Sequence, residues 1–372
     1  MSTGAREPAQ PRVTDGGGRP GYVALAADRL LPEPCGHTAA ELGLASDGPI
    51  DLADRCRGSL LGGAIGDALG RPGEARPRSW VREEYGLLLD FVPWSGHVDG
   101  PTGTITDDTQ LTMVVAECLR DNAGRIDPDD LARRLVAWLP EARGAGRATR
   151  EACRALAAGE PWWSAGTPSA GNGAAMRVAP IGLVHRTAPD LLRTEAAISA
   201  VPTHRDPVAV GGAVVHAFAV AWCTHRVGPV DPDALVGAIG RCLVGVHDPG
   251  SVPRQPDRTE PEWLAGRVAE IPGMLHLDAD DAFDHFHNGA FVLESLPSAL
   301  WCFLRHADDP ETALVVAASG GRDSDTVAAM VGGYVGALHG VAALPERWRA
   351  DLEYHDELVA LADRLTDLAS AD

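Results

Sequence analysis

The sequence predicts an all-α fold: one domain of many packed helices over residues 51–372, behind a leader over residues 1–50. Three observations point there. From Asp51 onward most apolar segments run past the roughly four to eight residues of an ordinary strand. Within them, apolar positions recur at spacings of three and four, and alternating β-branched runs are rare. Between them lie short stretches rich in Gly, Pro and Asp, which stop and restart helices.

In chain order, residues 1–50 are rich in Gly, Pro and Ala and lack sustained periodicity, so they read as a flexible leader with one short helix near Thr38–Leu44. Helices are then expected over 52–69, 109–121, 129–139, 147–157, 189–201, 207–225, 233–245, 290–306, 310–318, 326–341 and 347–370. The first carries Gly58, Gly62, Gly66 and Gly70, and the one over 326–341 carries Gly332, Gly336 and Gly340. A four-residue step keeps glycines on one helix face. Each costs up to about 1 kcal/mol relative to alanine, so both stripes read as surfaces that another backbone approaches closely. Asp67, inside the first stripe, reads either as a structural polar residue or as support for a site. Val327–Leu344 is about long enough to span a bilayer, but Tyr334, His339 and its four glycines mark it as a buried helix, and no membrane partner is expected.

Composition removes several functions. The 372 residues include no lysine; the 32 basic residues are all arginines, set against 52 Asp and Glu, for a net charge of −20. Schiff-base chemistry, a Walker A phosphate loop and a protein-kinase site each need a lysine. The acidity argues against a broad nucleic-acid-binding surface. Seven cysteines, odd in number and with no Cys-x-x-Cys, read as reduced thiols. With no basic-then-apolar N-terminal start, the expected location is cytoplasmic.

Two acidic loops carry the chemistry. Thr106-Asp107-Asp108-Thr109 precedes an apolar helix. A helix cap accounts for one of its aspartates, while a second adjacent carboxylate adds repulsion unless something positive lies between them. More than 200 residues later Asp323-Ser324-Asp325-Thr326 repeats the pattern before another apolar helix. Four carboxylates brought together would carry about −4, which two divalent cations balance. Oxygen ligands suit Mg2+ or Mn2+, and these loops lack the His and Cys that Zn2+ favours. A third segment, Gly171-Asn172-Gly173 within Ser169–Arg177, frees backbone amides for a phosphate or sugar, or is an ordinary glycine-rich turn. Gly144-Ala145-Gly146 is a weaker version. His204, in a proline-bounded loop, suits ligand contact; His216 and His339 read as core residues, and Trp162, Trp163 and Trp301 as packing residues.

Taken together, these motifs resemble the ADP-ribosylglycohydrolase family, over about Arg57 to Pro345. The stretches that carry the resemblance are Arg57–Gly70, the Thr-Asp-Asp-Thr run, Gly171-Asn172-Gly173 through Arg177-Val178-Ala179-Pro180, Thr203-His204, and Asp323-Ser324-Asp325-Thr326, in that order. The resemblance implies a single orthogonal multi-helix domain with a dinuclear Mg2+ or Mn2+ centre in a cleft. It implies Thr106, Asp107, Asp108, Asp323, Asp325 and Thr326 as metal ligands, and Asp107, Asp108, Asp325 and Glu74 as catalytic residues. It also implies Gly144, Gly146, Gly171, Asn172, Gly173 and His204 as the lining of an ADP-ribose site. The implied activity is hydrolysis of the glycosidic bond of an ADP-ribosylated protein, nucleic acid or small molecule. A dinuclear-metal phosphohydrolase and a non-catalytic ADP-ribose-binding protein are the alternatives. Some relatives have an aspartate before the Gly-x-Gly, where this chain has Arg143; its arginine-rich 143–150 segment suits a phosphate instead.

Overall fold

The computed structural model describes residues 20–93, 102–250 and 262–370. Among them are nineteen α-helices and four short 3-10 turns, with no sheet and four isolated bridges. Most helices begin at a residue built to start one. Asp51, Thr106, Asp127, Asp206 and Asp309 each accept a hydrogen bond from a backbone amide of the first turn. The helix expected over 347–370 is divided into Glu346–Ala350 and His355–Ser370. Between the two, the Glu353 amide donates to the Gly103 carbonyl and Tyr354 takes φ +60°, so the helical ladder cannot continue.

Residues 20–50 differ from a leader running free of the domain. Pro20–Ala27 is helical, and Leu25, Leu30, Leu42 and Leu44 are buried in the same core as the rest of the chain. Gly and Pro break helical periodicity here without preventing isolated leucines from being covered. The helix expected near Thr38–Leu44 is instead a pair of turns, closed by Leu42 N to Thr38 O and Leu44 N to Ala39 O. Residues 1–19 lie outside the described residues. Trp162, Trp163 and Trp301 are packing residues: Trp162 meets Tyr22 and Trp163 edge-on, and Trp301 is fully buried with its indole N–H on the Met274 carbonyl.

Two helices organise the core, Leu52–Gly70 and Ser324–His339. A Cβ on Gly58 would overlap the Gly336 carbonyl, on Gly62 that of Gly332, on Gly66 that of Ala328, and on Gly70 that of Ser324. Partner numbers fall as residue numbers rise, so the helices run antiparallel, backbone on backbone. The end of the first helix is thereby laid against the start of the second, which places Asp67 and Glu74 beside Asp323–Thr326. Pro207–Thr224 has the length and composition to cross a membrane, but it is almost wholly buried within the protein. It packs against Ser324–His339 and its neighbours as the central core helix.

Candidate active site

The site forms where three chain segments meet. Asp67, fully buried near the end of the first glycine helix, holds the first acidic loop. Its Oδ2 accepts from Thr106 N (2.9 Å), Thr109 N (3.1 Å) and Thr109 Oγ1 (2.5 Å), and its Oδ1 from Thr106 Oγ1 (2.8 Å). The alternatives left open by the sequence thus resolve toward support: Asp67 fixes the N-terminal turn of Asp107–Asp121. That helix start is also tied on its far side, where Asp107 N donates to the Arg143 carbonyl.

The second acidic loop is held as firmly. Asp323 N donates to the Asn288 carbonyl, and Asn288 Nδ2 donates to Gly321 O (2.8 Å). Arg322 and Ala75 both have positive φ and are joined by Ala75 N to Arg322 O. This backbone clasp keeps Glu74 next to Asp323. The two loops meet at Asp108, whose Oδ2 accepts from Thr106 Oγ1 (3.2 Å) and from Thr326 Oγ1 (3.3 Å), while its buried Oδ1 has no protein partner.

The structure therefore brings Thr106, Asp107, Asp108, Asp323, Asp325 and Thr326 into one cluster, with Glu74 exposed at its mouth. Both threonine hydroxyls cross-link carboxylates here. Carboxylate oxygens of Asp67, Asp108 and Asp325 lie within 4.8 Å of one another. Burial first, then neighbouring carboxylates, push Asp107, Asp108 and Asp325 well above the ordinary carboxylate range. Glu74 is raised by desolvation and by Asp323. Arg71 and Arg177 are buried cations whose charge reaches this cluster, and nothing in the sequence pattern singled them out for it. Two arginines do not offset so many carboxylates. The all-oxygen donor set and the unpartnered Asp108 oxygen fit a hard divalent cation.

The residues expected to line the substrate site fall into two groups. Gly144 has φ +87°, and a Cβ there would sit 3.0 Å from Asp107 Oδ1, so this glycine lets the backbone pass directly over the acidic loop. Gly146 caps the Arg147–Ala157 helix beside open space. Gly171 and Gly173 flank the ring of His204; a Cβ on Gly173 would come 2.9 Å from its Cε1. His204 is buried, bonded through Nδ1 to Thr203 Oγ1 (2.9 Å), and burial lowers it to about 3, so the ring is neutral. Thr203 Oγ1 in turn accepts from Arg177. The Asn172 side chain is directed elsewhere than expected: Nδ2 donates to Asp323 Oδ2 (2.5 Å), so it steadies the second acidic loop. Arg143 is likewise committed, paired with Glu353 at 2.6 Å, and it is not free to meet a phosphate.

Residues 48–372 match the ADP-ribosylglycohydrolase family. The chain belongs to that family. A protein of Archaeoglobus fulgidus without an assigned activity is 34% identical, over 85% of this chain and 97% of its own. ADP-ribosylhydrolase ARH3 of Bos taurus is 29% identical over 88% of this chain and 96% of its own. A solved structure titled ADP-ribosylglycohydrolase-related protein complex superposes with a TM-score of 0.66 at 30% identity, covering 86% of this chain and 99% of that one. The all-helical architecture is thus the ADP-ribosylglycohydrolase fold, and the acidic cluster lies at the crossing of its two glycine helices.

Proposed function

We propose that the chain hydrolyses the glycosidic bond between the distal ribose of an ADP-ribosyl group and its attached molecule, with two Mg2+ or Mn2+ ions held by Asp107, Asp108, Asp323, Asp325, Thr106 and Thr326. The observation that carries this reading is the convergence of two acidic loops, from residues more than 200 apart, in a member of the ADP-ribosylglycohydrolase family. When bound, such ions supply a Lewis acid that orients ribose hydroxyls and acidifies water.

The chain's own residues do the rest. Gly144, Gly171 and Gly173 leave backbone exposed for close approach of the ADP-ribose. Neutral His204, fixed through Thr203 and Arg177, offers a rigid uncharged ring beside that backbone. Cleavage breaks the bond from the anomeric carbon to the leaving group and forms one to a water oxygen, with positive charge developing on the ribose. Glu74, at the mouth and raised by desolvation and then by Asp323 and Asp67, takes the proton from that water. The leaving group departs with a proton, so the balance is one water consumed per bond cleaved. We also propose a reducing, cytoplasmic setting, a reading that the seven buried, unpaired thiols support.

The test is a panel of ADP-ribosyl conjugates, each assayed with Mg2+, Mn2+ or chelator, with products resolved. Free ADP-ribose, lost with chelator and in Asp107→Ala or Asp325→Ala, is the expected result. Release of inorganic phosphate, or near-native turnover by either variant with Mg2+ present, overturns it.

A further inference from the structure

The glycines of the two crossing helices fall into two kinds. Those of the stripes have a steric reason: a Cβ on Gly58, Gly62, Gly66, Gly70, Gly332 or Gly336 would enter the opposite backbone, and one on Gly340 the Asp54 carboxylate. Gly63 and Gly333 have none. A Cβ on Gly63 would meet only the Ala329 carbonyl, at an ordinary 3.5 Å, and one on Gly333 would find its nearest atoms, His216 Cε1 among them, at 3.9 Å. Neither has positive φ. A helix-interior glycine with no packing requirement is a cost without a local return.

Both glycines line a cavity inside the protein, with about 20 Å3 available to the centre of a water molecule. One ordered water needs roughly 10–15 Å3 by that measure. Ser59, Thr112, Asp108 and His216 also face the cavity. Asp108 is the carboxylate whose Oδ1 is buried without a protein partner. His216 is the one histidine of the apolar Pro207–Thr224 helix, buried, with Nδ1 bonded to the Tyr334 hydroxyl at 2.8 Å. An imidazole and a phenol in so apolar a place are stable only when their polar atoms are matched. Burial lowers the imidazole to about 3, which leaves the ring neutral and able to donate from one nitrogen and accept at the other.

We propose that this cavity is a solvent site: one water in it joins the Asp108 carboxylate to the His216–Tyr334 pair and so fixes how Asp108 presents itself to the acidic centre. His216 and Tyr334 are then positioning residues acting through Asp108. The site's remaining polar walls are the hydroxyls of Ser59, Thr109 and Thr112, which donate to Gly333 O, Asp67 Oδ2 and Asp108 O and so offer a water their lone pairs, and Gly63 and Gly333 keep its volume open. This inference rests on the reading that Asp108 serves a metal centre.

The experiment is a crystal structure of the metal-free full-length chain, beside Mn2+ titrations of wild type, Gly333→Ala and Tyr334→Phe. Solvent density between Asp108 and His216 in the wild type, absent in Gly333→Ala, is expected. Mn2+ affinity should fall about 10- to 100-fold in each variant, the range for groups that orient a ligand, while the melting temperature of Gly333→Ala does not fall. Unchanged Mn2+ affinity in Gly333→Ala with an equal or higher melting temperature would show an ordinary packing gap and overturn the proposal. So would an empty wild-type cavity. Should Gly333→Ala prove unstable, Gly63→Ala fills the same space from the opposite wall and decides between the same outcomes. A wild-type chain that binds no Mn2+ overturns the metal reading instead, and the density in the metal-free crystal then decides the solvent site by itself.

Discussion

Asp67→Asn separates a carboxylate that holds a loop from one that ligates a cation. An asparagine that keeps its oxygen in the place of Oδ2 preserves the bonds from Thr106 N, Thr109 N and Thr109 Oγ1. On the other side, the Thr106 hydroxyl accepts from the new amide and keeps its donation to Asp108 Oδ2. The loss is then charge assistance in three bonds, about 1 kcal/mol each. Removing one negative charge from a crowded cluster returns part of that, so the metal-free variant should be less stable by about 2 kcal/mol. Asp67→Ala leaves three donors without an acceptor, Thr106 N, Thr109 N and Thr109 Oγ1, while the Thr106 hydroxyl still reaches Asp108 Oδ2; at about 1–3 kcal/mol each it should cost more than about 3 kcal/mol. Urea unfolding of both variants, with and without saturating Mn2+, measures this. Asp67→Asn should keep a reduced but clear stabilisation by Mn2+. If it is instead as stable as wild type without metal and insensitive to Mn2+, Asp67 is a ligand and the argument from its hydrogen bonds is wrong.

The buried aspartates set the pH dependence. Asp107, Asp108 and Asp325 are raised when folded, so the folded chain binds more protons than the unfolded one. Their contribution to stability is fully present below the ordinary carboxylate value and is lost as pH rises through the raised folded values. Thermal melts of the chelated protein should therefore fall upward from about pH 4, and saturating Mn2+ should flatten that slope. Gly62→Ala drives a methyl into the Gly332 carbonyl and should cost about 3 kcal/mol or more. Gly63→Ala, one residue on, should be neutral or stabilising in the same melts. Gly144→Ala meets both a positive φ and Asp107 Oδ1 at 3.0 Å; it should cost about 1–2 kcal/mol of strain and lower turnover by more than its effect on folding.

Much of this was legible before the structure, for local reasons. Helix starts announce themselves through capping Asp and Thr, and the two acidic loops were visible because adjacent carboxylates before an apolar run exceed what a cap needs. The direction of Asn172 was not legible. A Gly-Asn-Gly turn looks the same whether its amide serves a ligand or, as here, Asp323, more than 150 residues away. Nor was the commitment of Arg143, because Glu353, its partner, lies on a distant turn. Burial of residues 20–50 escaped for a related reason. Isolated leucines among Gly and Pro carry no period, yet each is apolar surface that a large core can cover.

The glycine crossing and the acidic centre are one device. The two aspartate loops sit at helix ends, and helices kept apart by ordinary side chains lie about 8–10 Å axis to axis. At that spacing, short Asp side chains at the end of one helix do not reach the start of another. Glycine at 58, 62, 66 and 70 on one helix and at 332 and 336 on the other lets the carbonyls of Gly62 and Gly332 meet the opposing backbone. The antiparallel register then delivers Asp325 to Asp108 and Asp67 within 4.8 Å. The same closeness buries the carboxylates and sets them against one another, so desolvation first and mutual repulsion second hold them above the ordinary range. The repulsion is thus built by the packing of the whole helix pair. A cation that relieves it stabilises the crossing along its full length, which couples metal binding to the core.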